Sequence, residues 1–224
     1  MKKKQRIIKL MIVAFILSFI CSCKKSDNDS NTVKDIDGNV YHTVTIGTQV
    51  WMVENLKTTK YNDGTEILNI TDQEWSMLTT GVYCNYNDDE GLVSIYGRLY
   101  NWNAVNTGKL APKGWHIPTD AEWTILSNYL GGDSIASGKL KEESTTHWFN
   151  PNTEATNESG FTALPGGDRY NDSYTKIGEY GFWWSSTSYS SVNAIGRYLV
   201  HNEKYVGVNH VPIYLGFSVR CIKD

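Results

Sequence analysis

The chain has 224 residues, with 21 Lys and Arg against 24 Asp and Glu, a formal net charge of −3. Five of the basic residues and none of the acidic ones lie in positions 1–22. The rest therefore carries 16 against 24, a net −8 with no basic footprint for nucleic acid and no electrostatic hold on anionic lipid. Fourteen Tyr, eight Trp and nineteen Gly describe a loop-rich, aromatic-packed fold rather than a helical bundle, and about 190 residues are enough for one well-buried domain.

At the start of the chain, Lys2, Lys3, Lys4, Arg6 and Lys9 precede an apolar run from Leu10 to Ile20. Charge followed by a short apolar core is the layout of a secretory signal, too short for a stable membrane span. The segment Ile20-Cys21-Ser22-Cys23 resembles the lipobox of bacterial lipoproteins. That resemblance implies acylation of the Cys23 thiol, removal of residues 1–22 and a lasting anchor, at about 0.8 kcal/mol per buried methylene. Residues 23–33 read as a lipidated flexible tether, being polar from Lys24 to Asn31. Within it, Ser26-Asp27-Asn28-Asp29 resembles the surface-export signals of Bacteroidetes lipoproteins, so the expected location is the outer membrane, facing outward.

Residues 34–224 read as one α+β domain of two short helices and antiparallel strands. Alternating runs at Val40–Ile46 and Gln49–Val53 flank Gly47-Thr48 and predict a tight hairpin. Thr71 to Glu74 has the form of a capping box and predicts a short helix to about Leu78. A second box, Thr119 to Glu122, predicts the clearest helix, with Trp123, Leu126 and Leu130 on its buried face and Gly131-Gly132 ending it. A polar stretch over Ser144–Ser159 and the glycine loop Pro165-Gly166-Gly167 follow. Strands are expected at Phe182–Ser185, Ala194–Val200, Tyr205–Asn209 and Gly216–Ile222. Once Cys21 is removed and Cys23 acylated, Cys84 and Cys221 remain; in an oxidising compartment they can form one disulfide or stay as two buried thiols.

Several phrases recur in order: Asp35-Ile-Asp-Gly-Asn-Val-Tyr41, Ile46-Gly-Thr-Gln-Val-Trp-Met52, Glu54-Asn-Leu56 and Tyr96-Gly-Arg-Leu-Tyr-Asn-Trp102. Later come Gly114-Trp-His-Ile-Pro-Thr-Asp-Ala-Glu-Trp123, Ser159-Gly-Phe-Thr-Ala-Leu-Pro-Gly-Gly167, Trp183-Trp-Ser-Ser186 and Phe217-Ser-Val-Arg-Cys221. Together they closely resemble the Fibrobacter succinogenes major paralogous domain of exported Bacteroidetes and Fibrobacteres proteins, over residues 34–224. That family has no assigned biochemical activity. The Gly114–Trp123 helix entry and the closing Phe217–Cys221 strand also look like the formylglycine-generating (sulfatase-modifying-factor) enzymes, which implies a C-type-lectin-like fold with paired terminal strands. Their closely spaced copper-binding cysteine pair is missing here, so that oxidase chemistry is not expected.

The chain lacks the Glu-Pro-Asn, Gln-Pro-Asp and Trp-Asn-Asp segments with which C-type lectins hold calcium, and Asn87-Asp88-Asp89-Glu90 reads as a solvated turn. His42, His116, His147, His201 and His210 have no metal spacing, and His116 reads as a structural hydrogen-bonding group at the helix entry. No hydrolase elbow, zinc-protease motif or phosphate loop occurs, so neither catalysis, metal nor cofactor is expected. Rigid aromatic rings offer flat apolar area to the face of a sugar ring. Trp148, Tyr170, Tyr174 and Tyr180 lie in the polar 144–181 region, with Asp168 and Arg169 to bond hydroxyls. Trp184 adjoins Trp183, and one of such a pair on a strand faces outward. The expected ligand site is therefore Trp148, Asp168, Arg169, Tyr170, Tyr174 and Trp184. The expected function is non-catalytic binding of a polysaccharide or cell-surface glycan, the alternative being a structural or adhesion module for envelope proteins. Asp133-Ser134-Ile135 also matches the short O-glycosylation pattern of exported Bacteroidetes proteins.

Overall fold

The computed structural model describes residues 31–71 and 73–224. The signal segment, Cys23 and most of the tether lie outside these residues. Residues 32 and 33, assigned above to the tether, belong instead to strand β1 (Thr32–Lys34), which pairs with β2 (Val40–Ile46). Val33 is drawn in because its side chain packs on the core. β2 turns into β3 (Gln49–Met52) through Gly47, with Ile46 opposite Gln49 as the hairpin pattern requires.

Next along the chain come β4 (Leu68–Asn69), β5 (Val82–Cys84), helix α1 (Val93–Tyr96), β6 (Leu99–Tyr100), α2 (Trp102–Asn106) and β7 (Trp115–His116). Helices α3 (Asp120–Tyr129) and α4 (Asp133–Leu140) follow, then β8 (Gly166–Tyr170), β9 (Ser173–Ile177), β10 (Tyr180–Ser188), β11 (Asn193–Val200), β12 (Gly207–Pro212) and β13 (Ile222–Lys223). They form a sheet β1-β2-β3-β13-β7, a sheet β12-β11-β10-β8-β9 and a small sheet β4-β5-β6. Ile222 of the last strand pairs with Trp51, so the ends of the domain close on one another.

The second capping box forms as predicted: the Thr119 hydroxyl accepts from the Glu122 amide, and Glu122 reaches back to the Thr119 amide. The first does not. Only a single 3₁₀ turn, Trp75–Met77, forms after Thr71, with no side-chain cap. Trp75 is pulled under the small sheet, where its indole donates to the Tyr214 carbonyl at 2.5 Å. α4 was not predicted, since its small polar residues show little periodicity; Ala136 and Leu140 bury it. The expected strand over 216–222 is extended chain held by single bridges to Arg169, Tyr100 and Trp183, and turns regular only at β13.

Strand β10 is the centre of the molecule. Its alternate side chains serve two cores: Phe182 and Trp184 join Tyr41, Tyr100 and Phe217, while Trp183 joins Trp51, Trp123, Trp148 and Phe161. Cys84 and Cys221 are free buried thiols in different apolar clusters, so the disulfide alternative is not the one realised. Burial raises the Cys84 thiol to about 11 and pushes Cys221 higher still.

Candidate functional site

One face of the β8–β12 sheet opens into a cleft of about 460 Å³. Register builds it. Phe182 lies opposite Tyr198, with Tyr180 two residues before Phe182 on the same face. The Tyr180 and Phe182 rings are parallel to within 5° at 5.2 Å, and Tyr198 tilts across both at 6.2 and 6.1 Å. Tyr205, from the β11–β12 connection, meets Tyr198 edge-on at 6.1 Å, and Tyr170 closes the β8 side. Asp168, Thr175, Lys176 and Asn209 supply the polar lining.

Two glycines make this packing possible. Gly207 pairs with Tyr198, and a Cβ there would fall on the Tyr198 ring. Gly167 has φ +64°, and a Cβ would meet the backbone of β9, so only glycine lets that strand lie against β8. Burial, assisted by the bond to Tyr205, raises the Tyr198 hydroxyl to about 12. Burial also raises Asp168, against the opposing pull of a 2.6 Å bond from the Thr175 hydroxyl. Lys176 pairs with Glu179 at 3.2 Å, which raises its pKa, and its ammonium lies 5.4 Å from the centre of the Tyr180 ring.

Of the residues expected at a ligand site, Asp168 and Tyr170 line the cleft, as does Tyr180. Arg169 does not: alternation along β8 sends it to the opposite face. There it is buried, its guanidinium stacks over Trp75 at 4.6 Å, and it donates to the carbonyls of Ile70 and Asn171. Tyr174 shares that face, donating its hydroxyl to Asp88 and packing on Tyr86. Trp148 is core, its indole bonded to the Ala163 carbonyl at 2.9 Å. Trp184 is core as well, because β10 is covered on both faces where its tryptophan pair lies, and neither member faces outward.

Sequence reasoning missed Phe182, Tyr198, Tyr205 and Asn209 as cleft residues. The signal for two of them was present: Tyr180-x-Phe182 against Tyr198 is aromatic pairing at period two. In the Asn87–Glu90 turn, Asp88 accepts from the Tyr174 hydroxyl, Asp89 accepts from the Gly91 amide, and Glu90 pairs with Arg98 at 2.8 Å. Among the described residues no group of three or more His, Cys, Asp or Glu is placed to hold a metal ion. Likewise, among them no helix is long and apolar enough to cross a membrane.

Fold and cleft together define a single α+β domain whose sheet face carries an aromatic-lined hollow. Residues 44–223 match the Fibrobacter succinogenes major domain, and the chain belongs to that family. Neither a curated protein nor a solved structure matches it.

Proposed function

We propose that this domain is a non-catalytic binding module for polysaccharide or another cell-surface glycan, with the β8–β12 cleft as its site. The single observation that carries this reading is the cleft wall. Five aromatic side chains, Tyr170, Tyr180, Phe182, Tyr198 and Tyr205, stand beside hydrogen-bonding groups on Asp168, Thr175 and Asn209. Apolar rings with a few fixed polar groups suit a pyranose, which has an apolar face and a polar rim. The anchored, outward-facing lipoprotein inferred from residues 1–33 would present such a module to the surroundings. A C-type-lectin-like arrangement is part of the same proposal, supported by the closing of the last strand on β3.

The test is a glycan array probed with the full protein, with and without calcium. Specific hits lost on Tyr205→Ala, and independent of calcium, are expected; a blank array with folded protein overturns the proposal. The alternative, an adhesion module for envelope proteins, draws on β12, an edge strand beside a 440 Å³ apolar hollow lined by Met77, Val192, Pro212 and Ile213. An edge strand can take an extended segment of a partner by β-augmentation. That reading requires co-purification that a charged substitution at Val192 removes.

A further inference from the structure

The cleft holds more chemistry than a neutral sugar needs. Asp168 is only 9% exposed, and its carboxylate accepts from the Thr175 hydroxyl without an ion pair among the described residues. The nearby ammonium of the same hairpin, on Lys176, is committed to Glu179. Lys176 offsets the Asp168 charge only at a distance, without a direct ion pair among the described residues, so burial of the carboxylate is still costly and a cation bound against it would relieve that cost. The walls around it are tyrosine and phenylalanine rings, whose negative faces attract ammonium groups. Lys176 already uses this property, resting its Nζ over Tyr180. It does so from a left-handed backbone, φ +68°, which a lysine adopts only at a cost.

We infer that the cleft selects glycans bearing a free amino group, a 2-amino-2-deoxy pyranose unit, with the ligand ammonium paired to Asp168 and set against the tyrosine rings. Lys176 then acts as a resident competitor: its side chain occupies one ring face and its charge opposes the incoming ammonium. This inference rests on the glycan-binding reading and narrows it. Asp168, Tyr180 and Tyr198 are its recognition residues; Lys176 sets its affinity.

Calorimetric titration of the full-length protein with glucosamine tetramer and with its fully N-acetylated counterpart tests it. The two share one sugar backbone and differ at the nitrogen, which carries a charge in one and an acetyl group in the other; the Asp168 variant isolates the charge. The free amine is expected to bind about tenfold tighter, and Asp168→Asn to erase that preference while the protein keeps its melting temperature within a few degrees. Lys176→Gln is expected to tighten the amine about threefold, and by more than it changes the affinity of the N-acetylated tetramer, because only the amine also gains from loss of the opposing charge. Equal affinities, or a preference that survives Asp168→Asn, overturn the inference. If the N-acetylated tetramer binds and depends on Tyr205, the glycan reading stands without it. If neither tetramer binds, the array result decides whether the broader reading falls too: neutral hits there keep it, and a blank removes both.

Discussion

The guanidinium of Arg220 is fully buried and donates through Nε and Nη2 to a single oxygen, Oδ1 of Asn55, at 3.2 and 2.9 Å. The same oxygen accepts from the Trp183 indole at 2.8 Å, and the Asn55 amide donates to the Tyr96 carbonyl at 2.8 Å. Arg220 also donates to the Phe161 carbonyl and lies 4.1 Å from the centre of the Phe161 ring. One asparagine thus joins the Glu54–Leu56 segment, the last strand region and the central strand around a cation that makes no direct ion pair among the described residues. Burial lowers the Arg220 pKa to about 9, and the group remains charged at neutral pH.

Removing Asn55 therefore costs more than removing Arg220. Asn55→Leu leaves Nε and Nη2 of a buried cation and an indole N–H without their acceptor, and is expected to cost about 3–5 kcal/mol. Arg220→Met keeps the volume and removes the charge, and is expected to cost markedly less, since apolar groups replace buried ions with little loss. Urea denaturation of the two variants and of the double variant checks the order. A larger loss for Arg220→Met would show that the cation is stabilising in its own right.

Lys141 predicts a stability that climbs with pH. Its side chain is buried, and Nζ donates to the carbonyls of Val200, His201 and Glu203 at 3.2, 3.3 and 3.0 Å. Burial lowers its pKa to about 8 from 10.5. Between these values the unfolded chain holds the extra proton, so stability is expected to rise as pH increases through about 8 to 10.5. Lys141→Met should flatten that rise. It should also loosen the 200–204 turn, which leads into Tyr205, and so weaken cleft binding at every pH. Denaturation midpoints and ligand titrations at pH 7 and 9 read both effects.

His116 gives the opposite slope in a lower window. Its Nδ1 lies 2.7 Å from Asp224 and its Nε2 2.9 Å from Glu122, the carboxylate that also caps α3. Burial alone would lower its pKa, but the bonds to Asp224 and Glu122 outweigh it and raise the value. A raised histidine contributes stability that is complete below its ordinary value of 6.5 and lost as pH climbs through the folded value. His116→Gln is expected to lower stability more at pH 5.5 than at pH 8.5. A proton NMR titration placing the ring below 6.5 would contradict the assignment.

The parts of this fold written in local chemistry were legible. A glycine turn between alternating runs gave the β2–β3 hairpin, and Thr119 with Glu122 gave α3. Expected helix chemistry at Thr71 failed because burial of Trp75 outweighed a cap. Alternation identified β10 and β11, but a period of two tells only that two faces exist, not what covers them. Alternation therefore predicts one outward-facing ring in the Trp183–Trp184 pair, whereas both are buried and the Phe217 ring lies 4.5 Å from that of Trp184. Similarly, Arg169 and Asp168 are neighbours in sequence and part company across the sheet. The cleft needed five strands in register, information carried by pairs such as Phe182 with Tyr198 and Tyr198 with Gly207.

That last pair supplies the sharpest test of how the cleft is built. Gly207 is buried opposite Tyr198, and any Cβ would occupy the space of the tyrosine ring. Its backbone does not lie in the left-handed region, so strain from an added methyl is steric and local. Gly207→Ala is expected to destabilise by about 1–3 kcal/mol and to drive the Tyr198 ring toward Tyr180 and Phe182, closing the cleft. Tyr198→Ala opens space for that methyl, so the double variant should recover much of the stability but not the ligand binding. Thermal melts and titrations of the three variants check this. If Gly207→Ala kept full binding, the Tyr198 ring would be free to yield elsewhere, and the cleft wall would not be the rigid surface its packing describes.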